Sequence, residues 1–509
     1  MTLPSRAARS IGPFALVLLC MALAGCGSLP SLEDRTVSTA LQDTEETRLG
    51  RAIAARAAAN PGKSGFYSLL DSRDAFAARV RLAQAAERSL DVQYYIWHSD
   101  TSGKLLLEAL HAAAERGVRV RLLLDDNNTS GLDPTLAFLD RHPNIEVRLF
   151  NPFMNRGARW LGYLTDFARL NRRMHNKSFT ADNQATIIGG RNLGDEYFDA
   201  TEGVAFVDLD VLAIGPIVKE VSADFDRYWA SRSSYPVDRI VPMAQAAPIG
   251  RAPAAGAYLE ALRDAPFVRE LMGGRLALEW AEIRLVSDDP AKGLGLDEAQ
   301  AFVPHKLKEI IGEPKFEVNL VSAYFVPVTS TEVFVKMAER GVKVSVLTNS
   351  LEATDVIPVH AGYAKRRKTL LEAGVRLYEL RRLSDRVRGA ASLAGSSGSS
   401  ASSLHAKTFA VDRERVFIGS FNFDPRSAKL NTEMGFVIDS PGLAQRIAQT
   451  LEDRVPASAY EVRLAQNGAL YWIERRGDTQ VHHDVEPGTT VWQRAAVRFL
   501  SWLPIDWLL

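Results

Sequence analysis

Two stretches of this 509-residue chain repeat one arrangement of chemistry-bearing residues. In the first, His175 and Lys177 are followed by Asp182 and then by Gly189-Gly190-Arg191-Asn192. In the second, His405 and Lys407 are followed by Asp412 and then by Gly419-Ser420-Phe421-Asn422. Every interval is the same in both copies. Residues two apart on a strand share a face, so each His and its Lys point the same way if the segment is extended. A neutral imidazole is a nucleophile or a base, and the lysine beside it is a fixed positive charge. That pair suits a substrate with a negative phosphate. The apolar runs 185–188 and 416–418 predict a return strand. The glycines after it allow close backbone approach, and Asn192, Asn422 and Ser420 are candidate donors to phosphate oxygens. A lone His-x-Lys is ordinary surface decoration; two copies with identical spacing are not. Packed face to face, two such units would put two His, two Lys and two Asn around one phosphate.

The elements around these motifs are also written twice. Residues 90–97 (LDVQYYIW) predict a buried strand, 104–116 a helix closed by Gly117, and 118–124 (VRVRLLL) a second strand. The order recurs with a strand at 316–325, a helix at 332–340, Gly341, and a strand at 342–347. Ala-Glu-Arg-Gly-Val stands at 114–118 and again at 338–342. Such alternation predicts an α/β fold built of βαβ units with largely parallel pairing. The fold expected is two similar halves, each a mixed β-sheet flanked by helices, with the active site at their interface. The halves fall at 61–240 and 258–509, joined by an Ala/Pro/Gly-rich linker at 241–257. Residues 389–403 (GAASLAGSSGSSASS) are low-complexity and predict a mobile loop. Arg381, Arg382, Arg386 and Arg388 before it form a basic stretch, either solvated or facing anionic head groups.

Lys+Arg and Asp+Glu are both 61, a net charge of zero, which argues against a general nucleic-acid binder. The two cysteines, Cys20 and Cys26, both lie near the N-terminus, so the body has no disulfide framework and no cysteine metal site. His98, His111, His142, His305, His360, His482 and His483 fall in no metal-ligand spacing, although the vicinal last pair could take a metal incidentally. Arg6 and Arg9 precede an apolar run from Ile11 to Ala24, which is short for a membrane span and fits a signal-peptide core. It ends Leu23-Ala24-Gly25-Cys26, which resembles the lipobox of bacterial lipoproteins, with Cys26 as the lipidated residue. A plain secretory signal and an uncleaved anchor are the alternatives. Residues 1–26 are thus read as a lipoprotein signal peptide and 27–60 as a tether leading to a first helix. The expected location is a membrane, with the body facing the periplasm. Gly27 favours the outer membrane by resemblance to enterobacterial sorting.

The paired motifs resemble the His-Lys-Asp signature of the phospholipase D superfamily. Within it the chain is most similar to bacterial cardiolipin synthases of the C-type, through 151–199 (NPF…YLTDFARLNRRMHNKSFTADNQATIIGGRNLGDEYFD) and the ending LSWLPIDWLL. The first motif departs in ending Gly-Gly-Arg-Asn where many relatives have Gly-Ser-x-Asn, which removes one hydroxyl. The resemblance implies a two-step displacement through a phosphohistidine, without metal or cofactor. It gives His175 as nucleophile, His405 as acid/base, and Lys177 and Lys407 as charge stabilisers. Asp182 and Asp412 complete the catalytic signature, with a part that the comparison makes more structural. It places the carboxylates that orient the imidazoles at Asp208 and Glu433. The implied reaction makes cardiolipin from phosphatidylglycerol and a second phospholipid. A hydrolytic phospholipase D is the alternative, followed by a nuclease and a non-catalytic lipid-binding envelope protein. Both motifs lie in one chain, so a monomer suffices. The tail residues Trp492, Phe499, Trp502, Leu503, Ile505, Trp507, Leu508 and Leu509 suit a membrane interface, or else the core.

Overall fold

The computed structural model describes residues 28–509 except 202–203, 253–255, 257, 261–269, 271–274, 297 and 383–400. Residues 1–27 with Cys26, part of the 241–257 stretch, Arg386, Arg388 and most of the 389–403 stretch therefore lie outside the described residues.

The first lobe runs β1 (Ser64–Leu69), α1 (Ser72–Ala85), β2 (Ser89–Ile96), α2 (Thr101–Glu115), β3 (Arg119–Asn128), β4 (Ile145–Phe150), β5 (Ser178–Ala181), β6 (Ala185–Gly189), β7 (Val204–Val207), β8 (Asp210–Ile214), α3 (Pro216–Trp229), β9 (Ser234–Pro236) and β10 (Glu279–Ala281). The second runs β11 (Ile283–Ser287), α4 (Val303–Ile311), β12 (Glu317–Ser322), α5 (Thr331–Glu339), β13 (Lys343–Asn349), α6 (Ile357–Ala364), β14 (Arg376–Leu380), β15 (Ala401–Leu404), β16 (Lys407–Val411), β17 (Arg415–Gly419), β18 (Met434–Asp439), β19 (Ala459–Leu464), β20 (Leu470–Arg476), β21 (Thr479–His483) and α7 (Val491–Trp502). Each lobe is one mixed sheet with helices on it. The nine-stranded order is β10-β1-β8-β6-β5-β2-β3-β4-β9, and the ten-stranded order is β11-β18-β17-β16-β12-β13-β14-β19-β20-β21.

Parallel pairing is confined to β2-β3-β4 and β12-β13-β14 within these two sheets. Every other pairing in them is antiparallel, because short turns such as Asp182-Asn183 return the chain directly to its neighbour, so the sheets are mixed as the expected halves were, with parallel pairing limited to the strands joined by crossover helices. The duplicated glycines close the crossover helices as expected. Gly117 and Gly341 adopt φ 91° and 86°, a region costly for a side chain with a Cβ.

Each lobe has its own apolar core, and a third core joins them. There Ile188 and Val211 of the first sheet meet Ile418 and Phe436 of the second. Burying an aliphatic or aromatic side chain of this size contributes about 1.5–3 kcal/mol, so this seam holds the lobes in one arrangement.

The boundaries differ from those expected. Val241 belongs to the first core, and Ala247 N donates to Pro134 O (3.0 Å), so 241–252 packs on the first lobe. Tyr258 is buried there too, its hydroxyl donating to Phe198 O (2.9 Å), and β10 pairs with β1. The chain passes between sheets at Glu282, because Glu279–Ala281 pairs with β1 of the first sheet while Ile283–Ser287 pairs with β18 of the second. The supposed tether is docked as well. Arg121 reaches Ser38 O (2.9 Å), Arg119 reaches Thr39 O (2.8 Å), and Ala40 N donates to Asp226. A helix follows at Arg48–Ala58. Residues 401–403 form the start of β15, and Arg381 is buried against Glu474 (2.6 Å), so neither is a loose surface segment.

Candidate active site

Each motif histidine is fixed by hydrogen bonds from the opposite lobe. His175 stands just before β5. Its N–H donates to Thr432 O (2.9 Å), and Thr432 N donates to Arg173 O (2.9 Å). His405 stands just before β16. Its N–H and that of Ala406 donate to Val207 O (2.8 and 3.0 Å), where β15 lies parallel to β7. The residue after Thr432 is Glu433, and the residue after Val207 is Asp208. The carboxylates are therefore exchanged between lobes. His175 Nδ1 meets Glu433 Oε2 at 2.8 Å, and His405 Nδ1 meets Asp208 Oδ2 at 2.6 Å. A carboxylate on Nδ1 favours the tautomer with its proton on that nitrogen and leaves Nε2 the unprotonated one.

The two lysines curl back alike. Lys177 Nζ donates to His175 O (2.6 Å), and Lys407 Nζ donates to His405 O. Aromatic rings wall the pocket. Tyr95 meets His175 edge-on at 4.9 Å and has Lys177 Nζ at 5.4 Å from its centre. His405 is held between Tyr197 (5.1 Å) and Phe206 (5.2 Å), while Lys407 Nζ lies 5.9 Å from the Tyr324 ring. Both imidazoles and both ammonium groups are buried.

Four basic groups packed together out of water depress one another's affinity for protons. Burial, then Lys177, Lys407 and His405, hold His175 well below the usual histidine range. Burial and Lys407 lower His405 too, but Asp208 pulls back toward the charged form. Burial lowers Lys177 well below the ordinary lysine value and brings Lys407 down to about 8, the nearby carboxylates opposing. The carboxylates diverge. Burial pushes Glu433 up to about 7, only partly offset by Lys177 and the Ser420 hydroxyl. Burial pushes Asp208 the same way, yet His405, Lys407 and Arg191 overcome it and hold Asp208 at about 2. Such a pocket stabilises an incoming anion.

The remaining motif residues have partners within the protein. Asp182 and Asp412 sit at the far ends of β5 and β16 from the motif histidines, away from the His and Lys of each motif. Asp182 accepts from the N–H groups of Glu87, Arg88 and Ser89 (3.0, 2.8 and 2.9 Å). Asp412 does the same for Lys315, Phe316 and Glu317 (2.9, 2.7 and 3.0 Å). Each clamps the turn entering β2 or β12, from a backbone φ of 52° or 53°. Ser420, expected on the phosphate, gives its hydroxyl proton to Glu433 and accepts from Met434 N (3.0 Å). Asn192 is occupied between Ile96 N (3.2 Å) and the Tyr197 hydroxyl (3.1 Å), and Asn422 Oδ1 accepts from Tyr324 N (3.4 Å). These asparagines brace the pocket wall.

The Gly190 departure has a steric cause. A Cβ there would lie 2.1 Å from Asp208 Oδ1, so the shorter carboxylate on that side presses against bare backbone. On the other side a longer Glu433 leaves room for the Ser420 hydroxyl to hold it.

Some positioning residues were not foreseen. Arg173 is buried against Asp125, whose Oδ2 also accepts from Met174 N (2.7 Å), pinning the approach to His175. Asn349 serves the second lobe, exchanging hydrogen bonds with Leu404 N (2.8 Å) and Leu404 O (2.9 Å). The repeat carried the signal, since counting from the duplicated Ala-Glu-Arg-Gly-Val sets Asp125 against Asn349. Among the described residues, the ligand atoms of His98, Asp100 and Glu196 come together within 4.8 Å, apart from both motif histidines.

Comparison with known proteins agrees with this architecture. The family profile described as cardiolipin synthase, PLD-like domain, matches residues 80–229 and again 307–455. The chain is 50% identical to cardiolipin synthase C of Escherichia coli (strain K12), over 91% of this chain and 100% of that protein. It is 31% identical to an uncharacterized protein of Helicobacter pylori (strain ATCC 700392 / 26695), over 94% of this chain and 96% of that one. The crystal structure of phosphatidylserine synthase from Haemophilus influenzae Rd KW20 shares the fold, with a TM-score of 0.56 at 13% identity over 91% of this chain and 100% of that one. With a matching domain in each lobe and 50% identity to one such enzyme over 91% of its length, the chain belongs to the phospholipase D-like cardiolipin synthase family.

Proposed function

We propose that this protein is a phosphatidyltransferase that makes cardiolipin from phosphatidylglycerol and a second phospholipid. The observation that carries the reading is the pair of exchanged His–carboxylate couples beside two buried lysines. His175 Nε2 attacks the donor phosphorus, forming a P–N bond as the P–O bond to the leaving alcohol breaks. His405 gives that alcohol its proton from Nε2. The hydroxyl of phosphatidylglycerol then attacks phosphorus and passes its proton to His405, and the P–N bond breaks to release His175. The more strongly lowered proton affinity of His175 supports its role as nucleophile, and the ionised Asp208 supports His405 as proton carrier. Lys177 and Lys407 offset the charge that develops on the phosphoryl oxygens. The cardiolipin synthase relative supports the lipid substrate.

The reading places the protein at a membrane surface. Among the described residues no helix is long and apolar enough to cross a membrane. Instead α7 packs through Val497 and Leu500 on α6 and leaves Trp492, Phe499 and Trp502 exposed, with Trp507 exposed beyond it. Aromatic side chains of this kind favour the lipid–water boundary. An acylated Cys26 would add the anchor and set the body in the periplasm, at the outer membrane. Mass spectrometry of the native N-terminus tests it: a diacylglyceryl mass on Cys26 is expected, and an unmodified mature cysteine removes the anchor.

The test of the reaction is incubation of the full-length protein with phosphatidylglycerol, alone and mixed with phosphatidylethanolamine, followed by lipid mass spectrometry. Cardiolipin is the expected product. Phosphatidic acid alone makes the enzyme a hydrolase, and intact lipid removes the proposal.

A further inference from the structure

The helices that flank the two sheets are not equivalent. α1 and α2 have 14 and 15 residues, and between them bury Phe76, Leu82, Leu106 and Leu110 over the first sheet. Their counterparts α4 and α5 have 9 residues each, and the buried positions shrink to Val303 and Leu307 on one and Phe334 on the other. Where the first lobe is filled, the second holds a cavity of about 920 Å³. Leu307 and Ile311 of α4, Val333 and Met337 of α5, and Phe421 and Phe423 from the second motif line it.

We propose that this cavity holds an acyl chain of the phospholipid whose phosphate sits between the histidines. The inference rests on the lipid-transfer reading and names where the hydrocarbon goes. Three observations carry it. First, the wall lies next in sequence to the site's surroundings: Phe421 and Phe423 flank Asn422, which holds Tyr324 beside Lys407. Second, the long axis suits a chain. The end nearest the site is bounded by Val326, Val328 and exposed Trp507. At the far end Glu313 binds Arg340 (3.1 Å) and comes within 3.9 Å of Lys308. Nine helical residues span about 13 Å, so much of one chain lies between those ends. Third, exposed Lys429 at the near end offers a cation to an anionic lipid surface, and Trp507 continues toward the exposed aromatics of α7. Water gains little from so apolar a lining, whereas hydrocarbon removes that surface from water altogether.

Phosphatidylglycerol with a diazirine near the end of one acyl chain tests this. It is bound to the inactive double variant His175→Ala/His405→Ala in detergent micelles and photolysed, and the labelled peptides are mapped. Label within 303–311, 331–339 and 421–428 is expected; label confined to other segments overturns the proposal. A second measurement uses Val333→Trp, at a half-exposed position. Its ratio of kcat/KM for dioleoyl over dihexanoyl phosphatidylglycerol should fall about tenfold against the unaltered protein, the discrimination expected of an apolar pocket. An unchanged ratio also overturns it. If the groove is labelled and the unaltered enzyme makes no cardiolipin, the groove stands and the transferase reading fails. Cardiolipin formed with label only elsewhere has the opposite meaning.

Discussion

The two lobes carry one motif at identical spacing and put it in different electrical settings. His175 leans on Glu433, a carboxylate that burial pushes toward neutrality and that needs the Ser420 hydroxyl. His405 leans on Asp208, which stays ionised against the backbone of Gly190. A symmetric sequence has thus become an asymmetric pair. A nucleophile should be neutral and a proton carrier should tolerate charge, and the environments divide in that direction.

Removing the imidazoles has the largest expected effect and also tests the division of labour. His175→Ala and His405→Ala should each lower kcat by at least about 10⁴-fold, as when one member of a catalytic unit is deleted, with melting temperature little changed. From a phospholipid whose head group is p-nitrophenol, the phenolate leaves without needing a proton. His405→Ala should therefore regain first-turnover release of p-nitrophenolate, up to one equivalent per enzyme, and His175→Ala should stay inactive; the reverse pattern would exchange the roles.

The carboxylates come next. Asp208→Asn should cost about 10³-fold in kcat, close to what an uncharged orienting partner costs elsewhere, and Glu433→Gln about 10²-fold. Equal losses would show that the two couples carry the same charge. Smaller again is the exchange of neighbours. Gly190→Ser forces Asp208 away and should lower kcat about tenfold, while Ser420→Gly, which removes only the hydroxyl on Glu433, should cost a few-fold.

The pH profile gives the mildest test. Lys407 is useful as a cation, and its lowered affinity lets it lose the proton as pH rises through about 8. The kcat/KM of the free enzyme should therefore fall above that pH and be full below it on this limb. Lys407→Arg should remove the fall, because guanidinium keeps its proton throughout the range. A profile flat through this range for the unaltered protein would separate Lys407 from the rate.

Much of this was legible in the chain because it is local. Strand, helix, glycine and strand follow one another within about thirty residues, and the His-Lys spacing fixes a shared face. The carboxylates at Asp208 and Glu433 were named through family likeness, but their exchange was not readable. His175 and Glu433 lie 258 residues apart, and His405 and Asp208 lie 197 apart. Such pairings depend on how the lobes pack, which no local pattern encodes. Asp182 and Asp412, to which the family likeness already gave a more structural part, hold the turns entering β2 and β12. The docked 28–47 segment escaped because buried arginines satisfy backbone carbonyls that composition alone makes look solvated, and the late boundary at Glu282 because which sheet a short strand joins is set by its distant partner.

The crossed couples also make the two lobes dependent on each other. One lobe by itself would contain an imidazole without its acid and an acid without its imidazole. Two copies facing each other about a two-fold axis would contain both couples complete. Holding both lobes in one chain replaces an encounter between subunits with a fixed local concentration, so that completing the couples does not depend on dilution.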